Sequence, residues 1–252
     1  MDGLDSIRPP PLVLRADCAL FLDIDGTLIE FASSPERVIV PDALRFRLHR
    51  LSTWLEGALA LVSGRATRSI DALFEPLSLP VAGLHGHELR LGRHTHRNIE
   101  APPGMAAVIE AARALCDRHP GALIEDKGVT IALHWRNAPE AAPSLHAFAV
   151  HALDRLPGYR LQPGHCVIEL LPAGRDKGSA IAALLEHPPF RGRQPVFLGD
   201  DLTDEPGFLE VNARGGISVL VGTRADSAAR FSLRDPASVH AWLALPLDEG
   251  IA

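Results

Sequence analysis

Short apolar runs that stop abruptly at polar, mostly glycine-bearing loops recur along this chain, and they leave it few folds to choose from. Ala19-Leu20-Phe21-Leu22 runs into DIDGT, Ala58 to Val62 into Ser63-Gly64-Arg65, Pro80 to Leu84 into His85-Gly86, and Pro195 to Leu198 into GDD. Apolar runs without alternation read as strands buried on both faces, the mark of a parallel sheet covered by helices. Helical spacing fills the intervals. Leu44, Leu48, Leu51 and Leu55 predict one helix, and 67–74, 176–186, 205–211 and Ala237 to Leu245 predict others. Ile217 to Val221 reads as a further strand, and His87 to Ile99 as a hairpin turning near Gly92.

Between two linker-like stretches, NIEAPPG and LPAGRD, the pattern changes. Helix 104–118, strands 122–126 and 129–136, helix 139–156, and strands 159–162 and 166–171 describe two rounds of helix-strand-strand. The expected fold is therefore α/β, with a doubly wound, Rossmann-like parallel-sheet core interrupted by an inserted α+β cap domain. The core is expected over 1–102 and 173–252 and the cap over 103–172.

Composition excludes several function classes. The net charge of −6 and the lack of a basic run argue against a nucleic-acid partner. No stretch is apolar for long enough to span a membrane. The opening MDGLDSIRPPPLVLRAD carries acids and a proline run where a signal peptide needs a basic start and an apolar core, which predicts a cytoplasmic location. Cys18, Cys116 and Cys166 are far apart and form neither a disulfide frame nor a zinc site. We expect a monomer. Of 25 basic residues only Lys127 and Lys177 are lysines, each followed by glycine, which points to positions where a compact ammonium is needed.

Open parallel sheets bind ligands beyond the carboxyl ends of their strands. There the sequence gathers Asp23, Asp25 and Thr27, then Ser63, then His85, then Asp200, Asp201 and Asp204, with Lys177 opening the helix after the insertion. Each element alone has a bland explanation. DxDGT is also a turn, acids before a helix favour its dipole, and a lone lysine is usually solvated. Together they are a crowd of carboxylates that needs a hard divalent cation. Asp23 and Asp25 leave the extended chain on the same side, and Gly26 turns the backbone so that N–H groups can face an anion. One carboxylate can attack phosphorus while the other handles the leaving-group proton. Magnesium would bridge Asp23, the phosphate and Asp200; Ser63 can donate to a phosphoryl oxygen and Lys177 supplies positive charge.

The order DIDGT, SGR, a lysine after the insertion and GDDLTDE resembles the haloacid dehalogenase superfamily with a type IIB cap. The longer stretches AGLHGHELR, EDKGVTIALHWRNAP, VIELLPAGRDKGSAI and PVFLGDDLTDEPGF are similar to trehalose-6-phosphate phosphatases over nearly the whole chain. One departure is Trp135, where the family usually has tyrosine. The resemblance implies Asp23 as nucleophile and metal ligand, Asp25 as general acid/base and metal ligand through its carbonyl, and Asp200 as the remaining magnesium ligand. It implies a phosphate-binding set of Asp23, Asp25, Gly26, Thr27, Ser63, Gly64 and Lys177. Asp201 and Asp204 would act through water or behind the ligands. Glu125, Lys127 and Glu169 would grip sugar hydroxyls, with Arg65 and His85 touching substrate at the rim. His94, His96, His146 and His151 read as surface. Sucrose-phosphate and mannosyl-phosphoglycerate phosphatases, and a sensor that binds without turnover, remain open as alternatives.

Overall fold

The computed structural model describes residues 8–11, 14–30, 38–92, 94–97, 99–164 and 166–249, with backbone only for 94–97 and 245–249. The acidic opening of the chain, Met1 to Ile7, and the side chains of His94 and His96 lie outside the described residues. The chain divides into two compact units, Met1–Arg97 with Arg175–Ala252, and Asn98–Gly174.

The first unit opens with β1 (Cys18–Leu22), α1 (Asp42–Trp54), β2 (Leu59–Val62), α2 (Thr67–Phe74) and β3 (Val81–Gly83), then the hairpin β4 (Glu88–Leu91) and β5 (His94–Arg97). The second holds α3 (Met105–Cys116), β6 (Leu123–Asp126), β7 (Ile131–His134), α4 (Ala142–Ala152), β8 (Tyr159–Gly164) and β9 (Val167–Pro172). The chain then returns to the first unit with α5 (Lys177–Leu185), β10 (Gln194–Gly199), α6 (Glu205–Ala213), β11 (Ile217–Val221), β12 (Phe231–Leu233) and α7 (Pro236–Glu249).

The core sheet runs β12-β11-β10-β1-β2-β3-β4-β5, parallel from β12 to β3 and antiparallel across β4 and β5. Every residue of β1 is buried, because helices cover both faces of the central strands. Phe21 stacks on Phe190 and Phe197 tilts against Phe208, each at a centroid distance of 5.4 Å. On α1 the inward row is Leu44, Leu48 and Leu51, the 3.6-residue stripe expected of a helix lying on a sheet.

The expected hairpin and one unexpected strand form the two edges of the core sheet. The hairpin extends the core sheet as its antiparallel edge. The parallel edge on the other side is β12, which the pattern of residues does not announce. It is three residues long and half exposed, paired to β11 and held from outside by Ser232 N–H donating to the Arg8 carbonyl at 2.8 Å. Neighbours define it rather than periodicity.

In the second unit the sheet order is β6-β7-β9-β8, all antiparallel. Ile131, Leu133, Ile168 and Leu170 join Met105, Val108, Ala112, Leu145 and Ala149 of the two helices in a core of its own. The expected helix over 139–156 is α4 with a 3-10 turn at each end. Among the described residues, no helix is long and apolar enough to cross a membrane.

Candidate active site

The strand β1 continues straight into Asp23, whose N–H donates to the Leu198 carbonyl at 3.0 Å and so stays registered on β10. Gly26, at φ 81°, then reverses the chain, and its N–H donates to the Ile29 carbonyl at 2.8 Å. Only a glycine takes that conformation at no steric cost. The turn buries Thr27 completely, with its hydroxyl 3.5 Å from Asp23 Oδ2 and 3.4 Å from Asp200 Oδ1.

Lys177 is the first residue of α5, set by a capping box in which Asp176 accepts from Ser179 N–H at 2.7 Å and Ser179 Oγ accepts from Asp176 N–H at 3.0 Å. Its Nζ donates to Asp23 Oδ1 at 2.8 Å and to Asp204 Oδ1 at 2.7 Å. Asp204 Oδ2 accepts the N–H groups of Asp200 and Asp201, both at 3.0 Å. The glycine after Lys177 has a packing reason: a Cβ on Gly178 would lie 2.4 Å from the Pro206 carbonyl at the start of α6. A Cβ on Gly199 would lie 2.2 Å from Asp204 Cγ, so the end of β10 also admits only glycine.

The charges are strongly coupled. Burial, reinforced by Asp200 and Asp201, pushes Asp23 up to about 8 against the pull of Lys177. Burial with Asp204 and Asp201 pushes Asp200 up to about 7, although the Lys177 charge and a hydrogen bond with Asp23 pull it back. Burial raises Asp204 to about 8. Burial acts to lower Lys177, yet Asp204, Asp23 and Asp201 outweigh it and hold the ammonium well above its usual value. Asp201 stays below the usual carboxylate value despite burial, because Lys177 and two hydrogen bonds from Thr203 favour its charge. One carboxylate oxygen from each of Asp23, Asp200 and Asp204 lies within 4.8 Å of the other two. Such a set of hard oxygen donors suits a small divalent cation, and in its absence the acids must share protons.

Beside this cluster, Ser63 follows β2 and is buried, its Oγ accepting from Arg65 N–H at 3.2 Å. Arg65 turns to Asp25, donating from Nε and Nη2 to both carboxylate oxygens at 2.6 Å each. Leu84 and His85 both sit in the left-handed region, at φ 47° and 53°, and their N–H groups donate to the carbonyls of Arg65 and Ser63. Gly64 lies against the His85 ring; a Cβ there would stand 2.6 Å from Nε2.

Of the expected residues, Asp23, Thr27, Lys177, Asp200 and Asp204 are linked to one another, and Asp25, Ser63, Arg65 and His85 form a second linked group, with two adjustments in emphasis. Asp204 is wholly buried and joins the carboxylate trio directly, and Arg65 faces Asp25 through a bidentate pair. The spacing of Asp200 and Asp204 across one tight turn was the available signal for the first; nothing in the sequence pairs Arg65 with Asp25.

The second unit has a polar cluster of its own. Pairing aligns Glu125, Ala132, Glu169 and Gln162 in one row across β6, β7, β9 and β8, on the face opposite the helices. Lys127 Nζ lies 2.9 Å from Glu169 Oε1 and 3.9 Å from Glu125 Oε2. Thr130 donates to Glu169 at 3.1 Å, and His134 Nε2 meets Glu125 at the same distance. Burial acts to raise Glu125, but the His134 hydrogen bond and Lys127 hold it below its usual value.

The fold is of the haloacid dehalogenase type, and the family and relatives that the chain matches make it a phosphoric monoester hydrolase. A buried acid and lysine at the end of the central strand of a doubly wound sheet, with a separate unit inserted in the chain, are its organising features. The chain belongs to the trehalose-phosphatase family, which it matches over residues 21–237. It is 44% identical over 232 residues to the trehalose-6-phosphate phosphatase of Escherichia coli (strain K12), spanning 91% of this chain and 86% of the relative. It is 45% identical over 207 residues to a probable trehalose-phosphate phosphatase of Sinorhizobium fredii, spanning 81% and 77%. In fold it is similar to the crystal structure of a trehalose-6-phosphate phosphatase related protein, with TM-score 0.78 and 24% identity over 92% of this chain and 98% of the other. It is similar as well to the C-terminal domain of the C. albicans trehalose-6-phosphate phosphatase, with TM-score 0.77 and 22% identity over 92% of each chain.

Proposed function

We propose that this chain hydrolyses trehalose 6-phosphate to trehalose and inorganic phosphate, with magnesium, through an aspartyl phosphate on Asp23. The observation that carries the reading is Asp23 itself, buried at the carboxyl end of the central strand with Lys177 on one oxygen and Asp200 close by. Asp23 Oδ attacks phosphorus, and the P–O bond to the sugar breaks as Asp25 gives a proton to the leaving oxygen. Water then attacks the acyl phosphate, Asp25 takes its proton, and the carboxylate of Asp23 is restored with release of phosphate. Ser63 and Lys177 hold the phosphoryl oxygens, with the turn at Gly26, Thr27 and Gly64 beside them. Asp23, Asp200 and the carbonyl of Asp25 would hold Mg²⁺, while Asp204 anchors Lys177 and the loop and Asp201 stands behind. The ion would neutralise charge on the nucleophile and the phosphoryl group.

The insertion acts in this reading as the specificity domain. Glu125, Lys127 and Glu169 suit a polyhydroxylated ligand, since a hydroxyl can donate to carboxylate and accept from ammonium at once. Arg65 and His85 complete the substrate contacts. The enzyme would work as a cytoplasmic monomer on a free sugar phosphate, and a dimer mass in solution scattering would correct the oligomeric part.

The test is phosphate release from a panel of sugar phosphates with magnesium present. Trehalose 6-phosphate should be turned over fastest. A preference for sucrose 6-phosphate or a mannosyl phosphoglycerate would reassign the substrate. Binding without any single-turnover release would make the chain a sensor.

A further inference from the structure

The segment Asp200–Glu205 is fastened from two sides. From within, Asp204 binds the N–H groups of Asp200 and Asp201 and is itself pinned by Lys177. From without, a single side chain in the connection between β11 and β12 reaches both ends. Arg224 Nη2 donates to the Asp201 carbonyl at 3.1 Å and to the Glu205 carboxylate, and Nη1 donates to the Asp226 carbonyl. The second oxygen of Glu205 accepts from Ala228 N–H at 2.7 Å. Both side chains are three-quarters shielded from water, at 24% and 21% exposure, so the pair is firmer than a surface ion pair.

We infer that Arg224 is a positioning residue for the cation site, fixing Asp200 through the backbone of Asp201 and the carboxylate of Glu205. The inference rests on the metal reading proposed above. The Asp201 carbonyl lies one peptide beyond the one that follows Asp200, so freedom there becomes freedom of the Asp200 carboxylate. Magnesium demands near-ideal octahedral geometry, which makes its affinity sensitive to small displacements of a ligand. Groups that brace metal ligands without touching the metal typically account for about 10–100-fold in affinity. A guanidinium can bridge a carbonyl and a carboxylate in fixed directions, and a lysine cannot.

The test is calorimetric titration of MgCl₂ into metal-free wild type, Arg224→Gln, Arg224→Lys and Glu205→Gln, with circular dichroism and melting curves of the metal-free proteins. Arg224→Gln should keep its secondary structure and bind magnesium about tenfold or more weakly. Its activity should fall at limiting magnesium and recover as the ion is raised. Arg224→Lys should not restore wild-type affinity. An unchanged Kd for magnesium with a lowered Tm would overturn the proposal, leaving Arg224 a brace for its own loop. If Arg224→Gln fails to fold, Glu205→Gln opens the same clamp from its other end, and unchanged affinity there overturns the proposal equally. Wild type that takes up no magnesium would strike down the metal reading itself, whereas a wild type that binds beside variants that bind equally well removes only the role of Arg224.

Discussion

Lys177 Nζ sits between Asp23 and Asp204 at 2.8 and 2.7 Å, and all three side chains are withdrawn from water. Removing one partner of such a buried arrangement leaves an uncompensated charge, so Lys177→Met should cost about 3–5 kcal/mol of stability. It should depress turnover of every phosphate ester alike, since its role is toward the shared phosphoryl group; a variant that melts and works like wild type would remove the lysine from the scheme. Asp23→Asn should fold and lose turnover, because an amide is a poor nucleophile. Asp25→Asn should slow the reaction on the order of a hundredfold through the lost proton transfer. Stopped-flow and steady-state phosphate release distinguish the two, and substantial activity in Asp23→Asn would end the covalent mechanism. The bare sequence already marks these positions, but only as a set: DIDGT alone is also a turn, and Ser63, Lys177 and GDDLTDE at matching strand ends and helix starts turn it into a site. It does not mark the bidentate bond from Arg65 to Asp25, which joins residues forty positions apart.

At the scale of elements, the row across β6, β7, β9 and β8 tests the division of labour. Glu125→Ala and Glu169→Ala should lower kcat/KM on trehalose 6-phosphate by about 2–4 kcal/mol, the cost of losing charged hydrogen bonds to sugar hydroxyls. The same changes should spare 4-nitrophenyl phosphate, which has no sugar for them to hold. Equal losses on both substrates would mean that the glutamates support the fold or the chemistry instead. Helix α5 offers a second handle. Asp176→Ala removes its capping box and should cost about 1 kcal/mol in chemical denaturation, loosening the turn that presents Lys177. Alternation along EDK and IEL predicts which side chains share a strand face. That Lys127 lies nearer Glu169 than Glu125 depends on β6 and β9 flanking β7, a matter of sheet order.

For the whole molecule, the raised carboxyls make stability depend on pH in an unusual direction. Asp23, Asp200 and Asp204 are held at about 8, 7 and 8 in the fold, against an ordinary 3.8 in the unfolded chain. The folded state therefore binds more protons over that interval, and metal-free protein should lose stability as pH rises from about 4 through 8. A divalent cation favours the ionised acids and should reverse the loss. The difference in Tm between magnesium and chelator should therefore widen from pH 5.5 to 8. Thermal melts at four pH values check this, and a difference that stays flat or narrows would mean that the three carboxyls do not share a cation.

What the sequence determined by itself is the class of the fold and the carboxylate rim. Short uninterrupted apolar runs such as ALFL and PVFL, stopped at once by polar, glycine-bearing loops, read as strands buried on both faces, and the residues that follow parallel strands meet at one edge of the sheet. The change of pattern between NIEAPPG and LPAGRD likewise follows from local periodicity. Tertiary structure alone decided the edges of the sheet and the bracing of the site. The strand β12 and the hairpin β4–β5 owe their place to pairing with neighbours. The clamp from Arg224 to the Asp200 segment joins residues that share no motif. Periodicity reports which face of an element is dry, because burial repeats with the geometry of that element. A hydrogen bond between distant side chains leaves no such repeat and exists only once packing has brought both ends together.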